Sequence, residues 1–187
     1  MNRRKFITST IAVTASLGLG SPIFSAFSEP TFKKSKSALA VEQQWRELLP
    51  KGYNASLVLN SFELSEQQWQ QRLSSDAFKV LRKEKTERPG SSALNEQHNK
   101  GIYACEGCDL PLFTSAMKFE SGTGWPSFFT HIPGHMATKK DFKMIWPRTE
   151  YHCIRCGGHQ GHVFDDGPKP TGQRWCNNGV ALKFISM

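Results

Sequence analysis

Several things this chain lacks narrow it before any motif is read. Beyond its first thirty residues there is no run of about 20 consecutive apolar residues, the length a membrane-spanning helix needs, so a bundle of such helices is excluded. No internal repeat beyond a pair of cysteine units and no low-complexity tract appears, which removes solenoids and arrays. Acidic residues are in deficit, 16 against 24 lysines and arginines, for a net charge of +8. Cysteines are few and odd in number, five in all, so they cannot all be paired with one another. What remains is ordinary globular composition, 38% hydrophobic and 21% charged over 187 residues. That length suits one domain with a real core plus an appendage.

The positive charge is not concentrated. Arg3, Arg4 and Lys5 sit at the extreme N-terminus, and without them 21 basic residues face 16 acidic ones. Apart from Lys33 to Lys36 and Arg82 to Lys85 the excess is scattered, as on a solvated face. The opening MNRRKFITSTIAVTASLGLGSPIFSAFSEP has a basic start, a mildly apolar run from Phe6 to Leu19 and small residues at Ala26-Phe27-Ser28, a fair cleavage site. Arg3-Arg4-Lys5-Phe6-Ile7 resembles the twin-arginine export signal. Residues 1–28 are therefore expected to direct export to the periplasm, with an uncleaved membrane tether as the alternative. A protein using that route folds and loads any metal before it leaves, which would protect thiols from oxidation on arrival.

Residues 29–63 read as a linker and a short helical segment, with Glu29 to Ala40 polar and Val41 to Leu49 apolar at helical spacing until Pro50 and Gly52. Ser65 and Gln68 have the spacing of a capping box, with Leu64 and Trp69 as a hydrophobic staple. A second helix is predicted from Ser75 to about Lys83, and TERPGSSALNEQHNKG, from Thr86, is a long loop. From Gly101 the texture turns to short β-type runs. Strands are predicted at Gly101 to Ala104, Met117 to Glu120, Phe142 to Pro147, Glu150 to His152, His162 to Phe164 and Val180 to Ile185. The second half is thus mainly β with a small helical preface.

Four cysteines form two C-x-x-C units, Cys105-Glu106-Gly107-Cys108 and Cys153-Ile154-Arg155-Cys156, with 44 residues between them. Each unit lets two sulfurs approach one ion, and two units complete a closed tetrahedral site of four thiolates suited to structural zinc. Such a site leaves no open position for substrate, and it adds on the order of 10 kcal/mol to folding. The alternative is two disulfides or a redox pair, although neither unit opens a helix in a βαβ setting.

That leaves Cys176 without a partner, in GQRWCNNG. An isolated cysteine can be simply a small buried hydrophobe, but this one has polar company. In an extended segment Arg174, Cys176 and Asn178 share a face. Arg174 would lower the thiol pKa, and Asn178 could bond the sulfur or its substrate. Upstream, GGHQGHVFDDGPKPTG brings in His159, His162, Asp165 and Asp166. A thiolate beside histidine and carboxylate can attack a soft electrophile while the histidine protonates a departing oxygen. Packing against the metal knuckle for the histidines, and turn capping for the aspartates, are the alternatives. In SGTGWPSF, Gly122 and Gly124 flank Thr123 and precede Trp125, an arrangement that can hold an aromatic plate to receive a methyl group beside sulfur.

SGTGWPSF, CIRCGGHQGHVFDDGPKPTG and RWCNNGVALKFI together resemble the methionine sulfoxide reductase B family. LSEQQWQQRLSSDAFKVLRKEKTERPG and GIYACEGCDLPLF extend the match, which covers about Leu64 to Ile185 with order and spacing kept. The resemblance implies a catalytic domain at 64–187, with two antiparallel sheets forming a barrel-like fold, one structural zinc, and reduction of the R epimer of methionine sulfoxide in oxidised peptides or proteins. It further implies Cys176 as nucleophile, Arg174, His159, His162, Asp166 and Asn178 as its polar surroundings, Trp125 as the wall receiving the methyl group, and Cys105, Cys108, Cys153 and Cys156 as metal ligands. Trp175, Asn177 and Gly179 depart from the family, which usually has Tyr or His, an aliphatic residue, and Ser or Thr there. Some members carry a resolving cysteine at the position of Thr123. This chain has none, so a thioredoxin-like protein or a small thiol is expected to reduce a Cys176 sulfenic acid, and a monomer is expected to suffice. A zinc-ribbon nucleic-acid module is disfavoured because the basic residues are not interleaved with aromatics. A zinc hydrolase is disfavoured because four thiolates close the metal.

Overall fold

A computed structural model of the chain describes residues 36–49, 51, 60–143 and 146–187. The expected export signal lies outside the described residues, and among these no helix is long and apolar enough to cross a membrane.

Local chemistry dictates the helices. Helix α1 (Lys36–Gln43) starts earlier than Val41 and runs into a 3-10 turn, Gln44–Leu48, that buries Trp45. Part of the expected linker is therefore helical. Helix α2 (Glu66–Arg72) is opened by Ser65, whose hydroxyl accepts from Gln68 N while the Gln68 side chain accepts from Ser65 N, closing the capping box. Trp69 meets Phe62 edge-on at 5.7 Å. Helix α3 (Ser75–Lys83) is capped by Ser74, and its buried Ala77, Val80 and Leu81 form one apolar stripe.

Among the described residues, nine strands make two antiparallel sheets. Strands β1 (Gly101–Cys105), β2 (Pro111–Thr114) and β9 (Leu182–Ser186) form one sheet in the order β2-β1-β9. Strands β3 (Lys118–Phe119), β4 (Ser127–Phe128), β5 (Met136–Asp141), β6 (Arg148–Cys153), β7 (His159–Phe164) and β8 (Arg174–Asn177) form the other, in the order β3-β4-β8-β7-β6-β5. The two sheets remain separate among the described residues, so the expected barrel-like enclosure does not close by strand pairing. Aromatic packing joins them instead. Phe113 of the small sheet stacks on Phe128 of the large one at 3.8 Å, Tyr103 meets Phe128 at 5.0 Å, and Tyr151 meets both Phe113 and Trp175 edge-on. All five of these rings are buried, and aromatic pairs in these geometries add to the burial of their area.

The predicted strand over Phe142 to Pro147 is a correction. The strand is Met136–Asp141, and Phe142, Lys143, Trp146 and Pro147 belong to the connection to β6, with 144 and 145 outside the described residues. Apolar content misled here: Phe142 is 74% and Trp146 79% exposed, while the polar run MATKKD pairs with β6 over six residues. It is a sheet edge, where exposed lysines such as Lys139 and Lys140 belong. Likewise Val180 and Ala181 lie in a 3-10 turn, Gly179–Ala181, and only the sequel is strand. Met117 ends a similar turn before the two-residue β3.

Candidate active site

Strand β8 runs between β4 and β7, so Cys176 stands opposite Ser127 on one side and His162 on the other. Side chains directly opposite in antiparallel strands have Cβ atoms about 4.5–5.5 Å apart, so thiol and imidazole are immediate neighbours. The close approach depends on Gly161: a Cβ there would lie 1.9 Å from Cys176 O. Cys176 is partly exposed and opens into a cavity of about 120 Å³, walled by Trp125, His162, Phe164, Arg148, Thr86, Asn177 and Asn178. Trp125 is fixed by its Nε1, which donates to Glu87 O at 3.3 Å.

Arg174 is buried and lies over the Phe164 ring, 4.3 Å from its centroid. Its Nε and Nη2 donate to the two carboxylate oxygens of Asp166 at 2.8 and 2.9 Å, a two-pronged pairing that fixes the guanidinium plane. Asp166 lies outside the cavity wall and its side chain is 62% exposed, so it acts on the site chiefly by holding Arg174, with a smaller charge effect that raises the Cys176 thiol. The Cys176 thiol is pushed up by burial, against the opposing pull of Arg174 and the Thr123 hydroxyl. Sequence reasoning expected Arg174 to lower this pKa. Its influence has that sign, but desolvation outweighs it, since removing water disfavours the charged form. The resting group is a thiol.

His162 Nε2 is 2.8 Å from Asp141 Oδ2, and Arg148 Nη2 donates to the same oxygen at 2.7 Å. Asp141 also accepts from Lys143 N, and these bonds hold its carboxyl well below the usual carboxylate range. An ionised carboxylate only accepts, so Nε2 carries a hydrogen and Nδ1 is the bare lone pair. Burial lowers the His162 pKa against the pull of Asp141, leaving a neutral imidazole at neutral pH. His159 is fully buried, 5.5 Å from the His162 ring and 2.9 Å by Nδ1 from Glu150 Oε1. It does not line the cavity and backs its neighbour.

Asn178 lines the same cavity, and its amide is already engaged. Its Nδ2 donates to Gln160 O at 2.8 Å and its Oδ1 accepts from Glu87 N at 3.0 Å, so both ends of the amide are held by main chain rather than aimed at sulfur. Glu87 reinforces that junction, accepting from Gly179 N at 2.5 Å and Val180 N at 2.9 Å. Burial raises its pKa against those two bonds. Sequence reasoning missed Asp141, Arg148 and Glu87. None carries a local signal: Asp141 is one acidic residue among lysines, brought to His162 only by the β5–β6 hairpin.

The four remaining sulfurs converge at the other end of β7. All five cysteines are free thiols, so the disulfide alternative does not hold here. In both units the residue after the second cysteine is left-handed, Asp109 at φ 65° and Gly157 at φ 67°, with its N–H donating to the carbonyl of the first cysteine. The Sγ atoms of Cys105, Cys108, Cys153 and Cys156 all lie within 4.8 Å of one another, with Cys105–Cys156 at 3.7 Å and Cys108–Cys153 at 3.5 Å. A zinc ion with bonds of about 2.3 Å to four sulfurs at tetrahedral angles needs them about 3.8 Å apart. The quartet fits such an ion. Arg72 Nε, Arg82 Nη1 and Arg155 Nη1 clamp the knuckles by donating to Gly107 O, Cys156 O and Cys108 O.

Residues 73–186 match the SelR domain. A peptide methionine sulfoxide reductase MsrB of Methanosarcina mazei is 48% identical over 126 residues, covering 67% of this chain and 90% of that protein. The MsrB of Hahella chejuensis is 42% identical over 129 residues, 68% and 93% of the two chains. The chloroplastic peptide methionine sulfoxide reductase B1 of Arabidopsis thaliana is 46% identical over 125 residues, 66% and 62% of the two. The chain belongs to the methionine sulfoxide reductase B family.

The three departures from the family pattern fit their surroundings. Trp175 is buried against Tyr151 and His131, and its Nε1 donates to Gln173 Oε1 at 3.2 Å. Asn177 is buried with its amide fully bonded. Gly179 leaves its Cβ space to Ser92, whose Oγ would be 2.1 Å away. Of the three, only Asn177 lines the cavity, and its amide is committed to Tyr151, Gln160 and Asn178.

Proposed function

We propose that this protein, an oxidoreductase acting on methionine sulfoxide by its family, reduces the R epimer in oxidised peptides or proteins through Cys176. The observation that carries the reading is the pairing of Cys176 with His162 across β7 and β8 at the floor of a cavity walled by Trp125. Thiol and imidazole are both neutral at rest. As the sulfoxide enters, His162 Nδ1 takes the thiol proton and the thiolate attacks the sulfoxide sulfur. Arg174 steadies the thiolate charge, while Asp166 fixes Arg174 and Asp141 fixes His162. The proton then passes from His162 to the sulfoxide oxygen, which moves to sulfur of Cys176. Methionine leaves and Cys176 is a sulfenic acid, two electrons more oxidised. One external thiol condenses with it, releasing water and forming a mixed disulfide. A second thiol, or the other half of a dithiol such as a thioredoxin-like protein, releases Cys176 and carries away the disulfide.

Trp125 receives the substrate methyl group, since an aromatic face suits a methyl beside sulfur. Cys105, Cys108, Cys153 and Cys156 hold a structural zinc, which supplies folding free energy and takes no part in the reaction. An exported location, signalled by residues 1–28, would set this repair on damaged envelope proteins. The deciding experiment incubates zinc-loaded protein with peptides containing either sulfoxide epimer and a dithiol. The R epimer should be consumed, the S epimer left, and Cys176→Ser should be inert while keeping its metal and its circular dichroism. With substrate but no reductant, mass spectrometry should find one oxygen on Cys176 and no intramolecular disulfide. Turnover by Cys176→Ser, or a disulfide accumulating within the chain, would overturn the mechanism.

A further inference from the structure

The metal centre and the Cys176 strand are joined by a chain of buried side chains that the reaction does not use. Tyr151, Gln160 and Asn177 are wholly inaccessible to solvent. Tyr151 Oη donates to Asn177 Oδ1 at 2.8 Å, Asn177 Nδ2 donates to Gln160 Oε1 at 3.3 Å, and Gln160 Nε2 donates to Cys105 Sγ at 3.3 Å. With the metal bound, the polarity of the chain has one solution. A metal-bound thiolate can only accept, so Gln160 turns its NH₂ toward Cys105, which leaves its oxygen for Asn177. Asn177 must then present its NH₂, and its oxygen is left for the tyrosine hydroxyl. The second Asn177 Nδ2 hydrogen goes to Asn178 O, while Gln160 O accepts from both Asn178 N and Asn178 Nδ2. Cys176 lies between Trp175 and Asn177, so β8 is gripped immediately beyond the reactive sulfur.

We propose that Tyr151, Asn177 and Gln160 act as a hydrogen-bonded strut coupling the four-cysteine metal centre to β8. Residues that touch no metal thereby set how long the metal is held and how Cys176 stands in its cavity. The donor from Gln160 draws charge off the Cys105 thiolate and orients it, as groups behind a metal ligand do. Successive donors pointing one way strengthen each other in a low-dielectric interior. Cutting the strut anywhere leaves a buried amide or hydroxyl unpaired, and in such a place that is costly, so a cut at the β8 end is felt at the sulfur end. Gln160 and Asn177 are positioning residues on this account. The three physical readouts of the test below do not depend on the proposed reaction.

The test uses the full zinc-loaded chain with Gln160→Leu, Asn177→Val, the double variant, and Trp175→Phe as a neighbouring control. Transfer of metal to an excess of chromogenic chelator is timed well below each variant's unfolding temperature. Asn177→Val, which removes no contact to a ligand, should release metal about tenfold faster, at the low end of what outer groups contribute. Gln160→Leu should do at least as much, and the double variant no more than Gln160→Leu alone. Trp175→Phe, which keeps an aromatic ring against Tyr151 and removes only the hydrogen bond to Gln173, should stay within about twofold of wild type. Cadmium-loaded samples should show the ¹¹³Cd resonance displaced in Asn177→Val as well as in Gln160→Leu. Alkylation of Cys176 by iodoacetamide should change by about threefold or more in Gln160→Leu, from altered placement of the sulfur. If the Leu or Val variants do not fold, Tyr151→Phe, which removes one hydroxyl and keeps the ring, should still quicken metal release. Wild-type metal release in Asn177→Val or Tyr151→Phe, or unchanged Cys176 alkylation in Gln160→Leu, overturns the proposal.

Discussion

The knuckle end and the cavity end of β7 place the same functional group in opposite circumstances. At the knuckle end four thiols are buried shoulder to shoulder, within 4.8 Å of one another. Around them, helices α2 and α3 and three arginines fix the main chain. At the cavity end one thiol stands apart, partly open to solvent, beside an imidazole and a guanidinium that are each held by a carboxylate. Reactivity of sulfur in this fold is thus decided by company and access rather than by the residue type. Burial packs the quartet into a nest sized for a cation and also raises the Cys176 pKa; on the proposed function the cavity end uses a base where the knuckle end uses a metal.

Four variants break or sharpen that contrast, in descending order of effect. Cys153→Ser strikes the knuckle end and should remove the metal and, with it, the order of 10 kcal/mol of folding free energy that such a site supplies. Thermal unfolding followed by circular dichroism should lose its cooperative transition, and metal content should fall to background. His162→Gln strikes only the cavity end and should lower kcat/KM by about 10²–10⁴, the usual worth of a positioned acid-base group, with metal content and unfolding temperature nearly intact. Its pH dependence has a definite sign. The wild-type rate should fall as pH drops below the His162 pKa, which burial sets under the ordinary 6.5, because an imidazolium cannot take the thiol proton. It should hold through neutral pH and decline only above 9.0, where Cys176 ionises late. His162→Gln should lack the acidic limb.

Asp166→Asn loosens Arg174 without touching the sulfur. Because that carboxylate is 62% exposed and water screens exposed pairs, the loss in kcat/KM should be only a few-fold, roughly up to tenfold at 1.4 kcal/mol or less. Ser65→Ala removes the cap of α2 on the knuckle side and should cost about 1 kcal/mol in denaturant unfolding with no change in kcat/KM. A large activity loss in Ser65→Ala, or an unfolded His162→Gln, would erase the separation between the two ends.

Much of this was legible because it is local. The Ser65–Gln68 capping box, the helix from Ser75 to Lys83 and the two knuckles each depend on residues within a few positions of one another, and spacing alone specifies them. Cys176, His162 and Arg174 were readable as neighbours because β7, its connection and β8 form one antiparallel hairpin. The strand over Phe142 to Pro147 was misread because an apolar run signals burial only if a sheet covers it, and here pairing fell to Met136–Asp141 instead. What holds the Asn178 amide was not legible, because its partners Gln160 O and Glu87 N lie 18 and 91 positions away.

What the sequence by itself determined is the chemistry present and its coarse grouping: four sulfurs spaced to share an ion, one left over, and histidines and an arginine within a hairpin of it. Only the tertiary structure decided the protonation and the division of labour. Burial sets the thiol above its ordinary pKa, the β5–β6 hairpin brings Asp141 and Arg148 to His162, and His159 is placed behind the cavity rather than in it. The reason is physical. Spacing fixes which groups can meet through a turn or along a strand, whereas desolvation and hydrogen-bond commitment depend on every element packed around them.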